Sequence, residues 1–348
     1  MEHVIVRLAE AQRRRGHDAS VMAISPGPLA ELAAQKGVPL TALSGGKAER
    51  VARCAAHIAL RRPDVIHCHN PTSLPYAALA KIAGRSRLVF TDHAQTKGIV
   101  RVGTPAEWAL VDAYATVSRE TASHAGDIGY HGTPEVVHNG VDFAPARRDR
   151  AYTRAELGLG DRVVAIHVAS FFAAKAQDVL ARAAAFLMKQ GARVTTVFLG
   201  DGALRPAVER LARELGLGPA EARFLGYRND VPDLLAASDL FVLPSRSEGF
   251  PMSMLEAMSH RLPVVCTPVG GNPELVTDGE HGYLVPVDDP AALGAAMARV
   301  AGDAALRARL GEAGRARVAR DFSFARTTDR YEEMYRSVLG QRRRYVFL

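Results

Sequence analysis

The chain of 348 residues has only three cysteines, Cys54, Cys68 and Cys266, and none stands in a C-x-x-C pair. That excludes a disulfide framework and a zinc ribbon, and the three thiols read as reduced packing residues. No run approaches the ~18 consecutive apolar residues of a spanning helix. Met1 is followed by Glu2 and His3 rather than by a basic and then an apolar stretch, so no secretory signal is read and the expectation is a cytoplasmic protein. Low-complexity sequence is confined to Gln341-Arg342-Arg343-Arg344. This end reads first as a frayed basic terminus and second as a peripheral contact with the inner face of a membrane. Acidic residues number 37 against 44 basic ones, a net charge of +7, but the basic residues are dispersed. Nucleic acid is therefore not an expected partner, whereas anionic membranes and phosphorylated small molecules both suit such a surface.

What is present is an ordinary globular composition, 48% hydrophobic and 23% charged, in a length that suits two or three domains. Short β-branched runs alternate with longer Ala/Leu/Arg helical patterns, which is the signature of stacked βαβ units and makes the fold class α/β. In the first half the pattern predicts helices over 2–15, 28–36, 47–61, 74–83, 105–112 and 119–128. Strands are predicted over 19–24, 64–68, 87–91, 113–117 and 135–138. The second half opens with a strand at 162–168 and repeats the grammar: helix 175–190, strand 193–199, helix 203–215, strand 221–225, helix 231–237 and strand 239–243. Helix 251–260, strand 263–266, helix 272–277, strand 283–285 and further helices to about 338 follow. Between the halves, Asp142-Phe143-Ala144-Pro145-Ala146-Arg147-Arg148-Asp149 breaks the alternation and reads as a linker. In doubly wound sheets ligands bind at the carboxyl ends of strands, so residues that carry chemistry are expected there.

The most informative stretch runs Ser238-Asp239-Leu240-Phe241-Val242-Leu243-Pro244-Ser245-Arg246-Ser247-Glu248-Gly249-Phe250-Pro251-Met252-Ser253-Met254-Leu255-Glu256-Ala257-Met258. An apolar strand ends at Pro244, a loop carries Glu248, Gly249 and Phe250, and Pro251 suits a first helical turn. The helix N-terminus then presents the backbone N–H groups of Met252, Ser253 and Met254 together with its macrodipole, a receptacle for a diphosphate. Glu256 lies more than one turn along the same helix, where a carboxylate meets two ribose hydroxyls. Glu248, ahead of the helix, accepts from hydroxyls on the far side of the diphosphate. A nucleotide sugar spans both. Taken bare, an E-x7-E pair is more often a loop acid and a solvated helix residue.

At this point the chain resembles the retaining glycosyltransferases of family 4 with the GT-B fold, whose E-x7-E motif occupies this strand-loop-helix position. The resemblance runs through Asn139-Gly140-Val141-Asp142, Leu199-Gly200-Asp201-Gly202 and Phe224-Leu225-Gly226-Tyr227. It continues through Val269-Gly270-Gly271-Asn272-Pro273-Glu274-Leu275 and Asp278-Gly279-Glu280-His281-Gly282. It implies two Rossmann-like doubly wound domains facing across a cleft. Residues 1–143 would form the acceptor-side domain and 144–322 the nucleotide-sugar domain, with 323–348 a C-terminal helix returning toward the first domain and a basic tail. By the same resemblance Glu248 positions the sugar, Glu256 binds ribose, and Gly200, Leu225 and Tyr227 border the nucleotide. Family members clamp the diphosphate with an Arg and a Lys five residues apart. In Ala169-Ser170-Phe171-Phe172-Ala173-Ala174-Lys175 the Arg position holds Ser170 and the Lys position holds Lys175, so half of the clamp is absent. His93, closing Val89-Phe90-Thr91-Asp92-His93, stands where the family places a His against the donor sugar near the reacting centre.

His67 and His69 lie two apart at a strand end, hence on one face. With no third ligand suggested, acceptor contact and plain structure are favoured over a metal, and His138 reads as structural. Ser44-Gly45-Gly46-Lys47-Ala48-Glu49-Arg50 looks like the family's opening glycine-rich loop, yet its place before helix 47–61 makes it a surface turn. Leu199-Gly200-Asp201-Gly202 lacks the third glycine of a dinucleotide fingerprint. In the family a strand and a glycine-rich loop precede the helix that ends like Leu8-Ala9-Glu10-Ala11-Gln12-Arg13-Arg14-Arg15-Gly16-His17-Asp18, whereas Met1 begins almost at that helix. The first domain is therefore expected to lack its central strand, with the reading frame extending upstream by roughly 15–30 residues on ordinary element lengths.

The leading expectation is transfer of a hexosyl group from a nucleotide diphosphate sugar to a glycan or lipid-linked hydroxyl acceptor, with retention at the anomeric carbon. No D-x-D ends a first-domain strand, so neither a catalytic metal nor a cofactor is expected. Lys175 and the helix amides would stabilise the departing diphosphate, while Glu248 and His93 orient the sugar. The alternative, prompted by Ser170 and the early start, is a nucleotide-sugar-binding pseudoenzyme or partner subunit. A dinucleotide oxidoreductase is opposed by the absence of G-x-G-x-x-G.

Overall fold

The computed structural model describes residues 2–24, 27–83, 85–94 and 103–340. The basic end Gln341–Arg344 lies outside the described residues. The chain divides into two compact units, one made of Met1–Asn139 with Phe324–Leu348 and the other of Gly140–Ser323. Among the described residues no helix is long and apolar enough to cross a membrane.

The first unit carries strands β1 (Val21–Ala23), β2 (Leu40–Ala42), β3 (Val65–Cys68), β4 (Arg87–Asp92), β5 (Ala113–Thr116) and β6 (Glu135–Val136). Every pairing is parallel, yet the strands form two sheets: β1 with β2, and β3-β4-β5-β6. Helices fill the crossovers that parallel pairing requires. Helix Glu2–Arg14 buries Val4 and Leu8, four residues apart on one face, and the chain leaves it through Gly16 at φ +88°. Helix Phe324–Leu339 returns to this unit, and its Tyr331, Met334 and Tyr335 join Val6, Leu8, Val21, Val65 and Val89 in one core. On the other face helices Lys47–Arg61 and Leu74–Ala83 pack Cys54, Ile58 and Ala77 against Ile66, Cys68, Leu88 and Phe90.

The second unit holds β7 (Val163–Val168), β8 (Val194–Leu199), β9 (Ala222–Gly226), β10 (Leu240–Leu243), β11 (Val264–Cys266) and β12 (Gly282–Leu284). They form one parallel sheet in the order β12-β11-β10-β7-β8-β9. The order reverses between β7 and β10, which makes the carboxyl ends of those strands the switch point of a doubly wound sheet. β8 and β10 are buried along their whole lengths, as strands covered on both faces must be.

Three local readings differ from the pattern in the sequence. Strand β2 has no counterpart in the sequence pattern, because two half-buried residues and an exposed one are too few to show a period. Helix Arg150–Glu156 was also missed: Asp149, taken as linker charge, is its N-cap, accepting from the N–H groups of Ala151 and Tyr152 at 2.8 and 3.2 Å. Lys175 does not open the long helix. It closes a short 3₁₀ turn, Ala173–Lys175, and Ala176 at φ +52° turns the chain before helix Gln177–Lys189 begins.

Candidate active site

The loop after β10 and the turn after β7 meet at the switch point. Lys175 Nζ donates to both carboxylate oxygens of Glu248, at 2.7 and 2.8 Å. Ser245 Oγ donates to Glu248 Oε1 at 2.6 Å, and the carboxylate is almost fully enclosed while the ammonium side chain stays 28% exposed. A buried carboxylate with a cation and a hydroxyl on it is a satisfied group, held in one orientation. Arg246 braces the opposite wall: its N–H donates to the Ala174 carbonyl at 2.8 Å and its guanidinium to the Ala173 carbonyl at 2.9 Å. The same guanidinium is held by Asp178 and Asp288, at 2.8 and 2.7 Å, so the turn bearing Lys175 is tied to the loop bearing Glu248.

Close backbone approach completes the loop. Gly271 N–H donates to the Gly249 carbonyl at 2.7 Å. At Gly270, φ +57°, an added Cβ would stand 2.2 Å from the Glu248 carbonyl oxygen, so only glycine fits. Phe250 is buried and its ring meets Phe322 at 5.4 Å, anchoring the entry to helix Met252–Ser259. Hydrogen bonding of that helix starts with Leu255 N–H on the Pro251 carbonyl at 3.3 Å. The amides of Met252, Ser253 and Met254 therefore lead the helix, as its first donors do. Met252 and Ser253 are half-buried, Met254 is fully buried, and Glu256 is half-buried one turn further on.

The remaining expected residues line the neighbouring strand ends. Ser170 is exposed after β7, and its carbonyl accepts from Gln177 Nε2 at 3.0 Å. Gly200, after β8, lies so close to the β7 end that a Cβ there would be 2.1 Å from the Ala169 carbonyl oxygen. Gly200 N–H donates to the Gly226 carbonyl at 2.8 Å, which brings the half-buried Leu225 and the exposed Tyr227 onto the same edge of the sheet. Sequence reasoning missed Ser245, Arg246 and Gly270, although all three stand in or near quoted motifs. It also missed His167 on β7, whose Nδ1–H donates to the Val242 carbonyl at 2.9 Å and whose pKa burial lowers to about 4.

The first unit gathers the other three candidates. His67 Nδ1 is 2.6 Å from Tyr335 Oη and its Nε2 2.7 Å from Thr91 Oγ1. The rings of His67 and His69 lie 3.8 Å apart, and His69 Nδ1 is 3.1 Å from His93 Nε2. Burial is the main cause that holds all three imidazoles neutral: it lowers His69 to about 3 and His67 and His93 well below the usual range. Two neutral rings sharing one proton across His69 and His93 form a hydrogen-bonded stack, with His93 the more accessible end. Among the described residues no group of three His, Cys, Asp or Glu is arranged to hold a metal ion.

Residues 1–145 match the family described as Glycosyltransferase Family 4, and residues 162–303 the one described as Glycosyl transferases group 1. The D-inositol 3-phosphate glycosyltransferase of Salinispora arenicola is 35% identical over 82% of this chain and 71% of its own. The N-acetyl-alpha-D-glucosaminyl L-malate synthase of Bacillus anthracis is 28% identical over 79% of this chain and 75% of its own. Among solved structures, Anabaena HepE, crystallised with UDP-glucose, superposes with a TM-score of 0.85 at 22% identity, covering 97% of this chain and 95% of that one. That likeness establishes the GT-B fold.

Proposed function

The chain belongs to the family 4 glycosyltransferases, which move sugars from nucleotide sugars, and from that premise we propose that it transfers a hexosyl group to a hydroxyl acceptor with retention at the anomeric carbon. The observation that carries the site assignment is the Lys175–Glu248 pair at the switch point, directly before a helix led by the amides of Met252, Ser253 and Met254. A nucleoside diphosphate sugar offers phosphate oxygens and sugar hydroxyls side by side. Its diphosphate would draw Lys175 off Glu248 and accept from the Met252, Ser253 and Met254 amides. The released Glu248 would accept from the sugar hydroxyls, and Glu256 from the ribose.

In the reaction the bond between the anomeric carbon and the leaving phosphate oxygen breaks while the acceptor oxygen bonds to the same carbon. Lys175 and the helix amides stabilise the charge that builds on the departing diphosphate. No carboxylate is assigned as a covalent nucleophile. Attack from the face that the diphosphate leaves preserves configuration, and the leaving phosphate oxygen takes the acceptor proton. UDP-glucose, the ligand of HepE, is the first donor to test. The inositol phosphate and malate named in the relatives join glycan and lipid-linked hydroxyls in the acceptor panel.

The test is Glu248→Gln assayed with a radiolabelled donor and by calorimetry with the free nucleoside diphosphate. Turnover should fall about a hundredfold, as when a group that acts in the transition state is lost. Affinity for the free diphosphate should hold or rise, because Lys175 no longer has a competing carboxylate. A diphosphate affinity that falls as steeply as turnover would overturn the assignment. Donor binding without turnover of any donor in the wild-type chain would instead identify a nucleotide-sugar-binding subunit.

A further inference from the structure

Three histidines of the first unit form one continuous polar column. The parallel register sets His67 of β3 against Val89 of β4, so His67 and His69 on one strand share a face with Thr91 and His93 on the other. Each β3 imidazole reaches a same-face position further along β4: His67 Nε2 meets Thr91 Oγ1 at 2.7 Å, and His69 Nδ1 meets His93 Nε2 at 3.1 Å. The other nitrogen of His67 is held by Tyr335 Oη at 2.6 Å, so this ring is fixed at both ends. It forms a floor for His69, whose ring lies 3.8 Å away, and Tyr331 meets His69 edge-on at 6.4 Å. His69 is 4% exposed, and among the described residues its ring makes the one hydrogen bond, to His93. His93 is half-buried directly after β4, at the strand end where open parallel sheets bind ligands. Ala94, next in the chain, takes φ +62°, a conformation that a residue with a side chain keeps only where its surroundings hold it.

We propose that His69 is a positioning residue for sugar transfer, a fixed imidazole that holds His93 in one orientation and one tautomer, with His93 Nδ1 turned to substrate as a hydrogen-bond acceptor. The proposal rests on the sugar-transfer reading above. All three rings are neutral, so across the His69–His93 contact one nitrogen carries the proton and the other a lone pair. A neutral imidazole in water carries its proton by preference on Nε2. Both rings keep that form at once only when His93 Nε2–H donates to His69 Nδ1, and this bond then sets the state of the far nitrogen. His93 Nδ1 is left as a lone pair, and among the described residues it has no partner. A lone pair accepts and cannot donate, so it orients a sugar hydroxyl that points its hydrogen at His93 and gives nothing to a phosphate oxygen.

Three substitutions at His69 in the 348-residue chain test this. Asn places an amide oxygen where Nδ1 stands, Gln reaches the position of Nε2 instead, and Leu fills the volume with no acceptor. His69→Leu should lower turnover about thirtyfold while KM for the donor changes less than about threefold, because what is lost is orientation. His69→Asn should recover to within about threefold of the wild type, and His69→Gln should not. The Leu variant should melt no lower than the Asn variant, since leucine suits a buried site, so stability does not account for the loss. Nitrogen-15 chemical shifts of His93 give a second readout that needs no donor. Nδ1 should be unprotonated in the wild type and the Asn variant, with both tautomers mixed in the Leu and Gln variants. That pattern without turnover of any donor would uphold the positioning of His93 and overturn the sugar-transfer reading alone. A protonated Nδ1 in the wild type, one tautomer in all four proteins, an Asn variant as slow as the Leu variant, or a Gln variant as fast as the Asn variant overturns the proposal.

Discussion

Removing both partners of the Lys175–Glu248 pair should cost less than the sum of removing each one alone. The ammonium touches both carboxylate oxygens, the carboxylate is 4% exposed, and the lysine is 28% exposed. Two unit charges about 4 Å apart attract by about 4 kcal/mol at an effective dielectric of 20 and by about 1 kcal/mol in water. The half-wet lysine places the pair between these limits, so a coupling of about 1–3 kcal/mol is expected. Lys175→Met leaves the carboxylate enclosed with only the Ser245 hydroxyl on it and should destabilise by about 2–3 kcal/mol. Glu248→Gln keeps the shape and frees the ammonium to reach water, at about 1 kcal/mol. The double variant should then cost less than the two single ones together by the coupling energy. Hydrogen exchange at the buried amides of β7 and β8 reads the opening of the second unit. Fluorescence of Trp108, the single tryptophan, reports the first unit and should not move. A coupling below about 0.5 kcal/mol would show that the pair behaves as an ordinary surface contact and would remove the argument for a preset site.

Glu256→Ala should weaken donor binding by about 1–3 kcal/mol through loss of charged hydrogen bonds to ribose, read by calorimetry, and unchanged affinity would end that assignment. Gly270→Ala combines a left-handed residue with a Cβ 2.2 Å from the Glu248 carbonyl, so it should destabilise by about 2–4 kcal/mol and lower turnover at least tenfold. The control is Gly279→Ala at φ +74°, where nothing stands near the new methyl and only the backbone cost of about 1–2 kcal/mol applies; equal losses in the two variants would refute the packing argument. Sugar transfer should survive EDTA, with complete loss and recovery by magnesium or manganese as the contrary result. Acid should destabilise the first unit early. Its three buried histidines stay neutral when folded, His69 down to about 3, whereas unfolded imidazoles take up protons near pH 6.5. Their stability contribution is therefore full above pH 6.5 and is lost as pH falls toward 3, at up to about 1.4 kcal/mol per unit per histidine. Urea unfolding followed by Trp108 at pH 7.5 and 5.5 checks this, and identical midpoints would refute it.

The parts of the fold that could be read in advance are those whose signal is local. Helix 74–83 and helix 231–237 match Leu74–Ala83 and Val231–Ala237 residue for residue, because apolar spacing and flanking breakers lie within the segments themselves. Helices 105–112 and 119–128 shrank to Pro105–Trp108 and Arg119–Ser123. In the second case Gly126 and Gly129 follow, and a short amphipathic stretch cannot outlast them. At the site, the strand-loop-helix carrying Glu248 and Glu256 is one continuous segment, and so could be placed from the sequence. The contact between Glu248 and Lys175 joins residues 73 apart, and no spacing within either segment announces it. Nor does the sequence say that the Ser245 hydroxyl turns toward Glu248, or that Gly270 is required by a carbonyl in another loop. Those facts follow from how β7, β10 and β11 stack side by side.

The path of the chain through its two units also decides when each becomes whole. Residues 140–323 are contiguous, so the second unit has all its parts as soon as they have left the ribosome, and domains generally fold as units during synthesis. The first unit does not. Tyr331, Met334 and Tyr335, the side chains that cover Val65, Val89 and His67, belong to a helix that is made only after the whole second unit. Until that helix emerges, the early strands wait with one face open and with His67 still hydrated, a stretch during which chaperones have a target. Release of a chain stopped near residue 323 should yield a folded second unit joined to a first unit that proteases can enter. The unit that leaves the ribosome first is the one completed last.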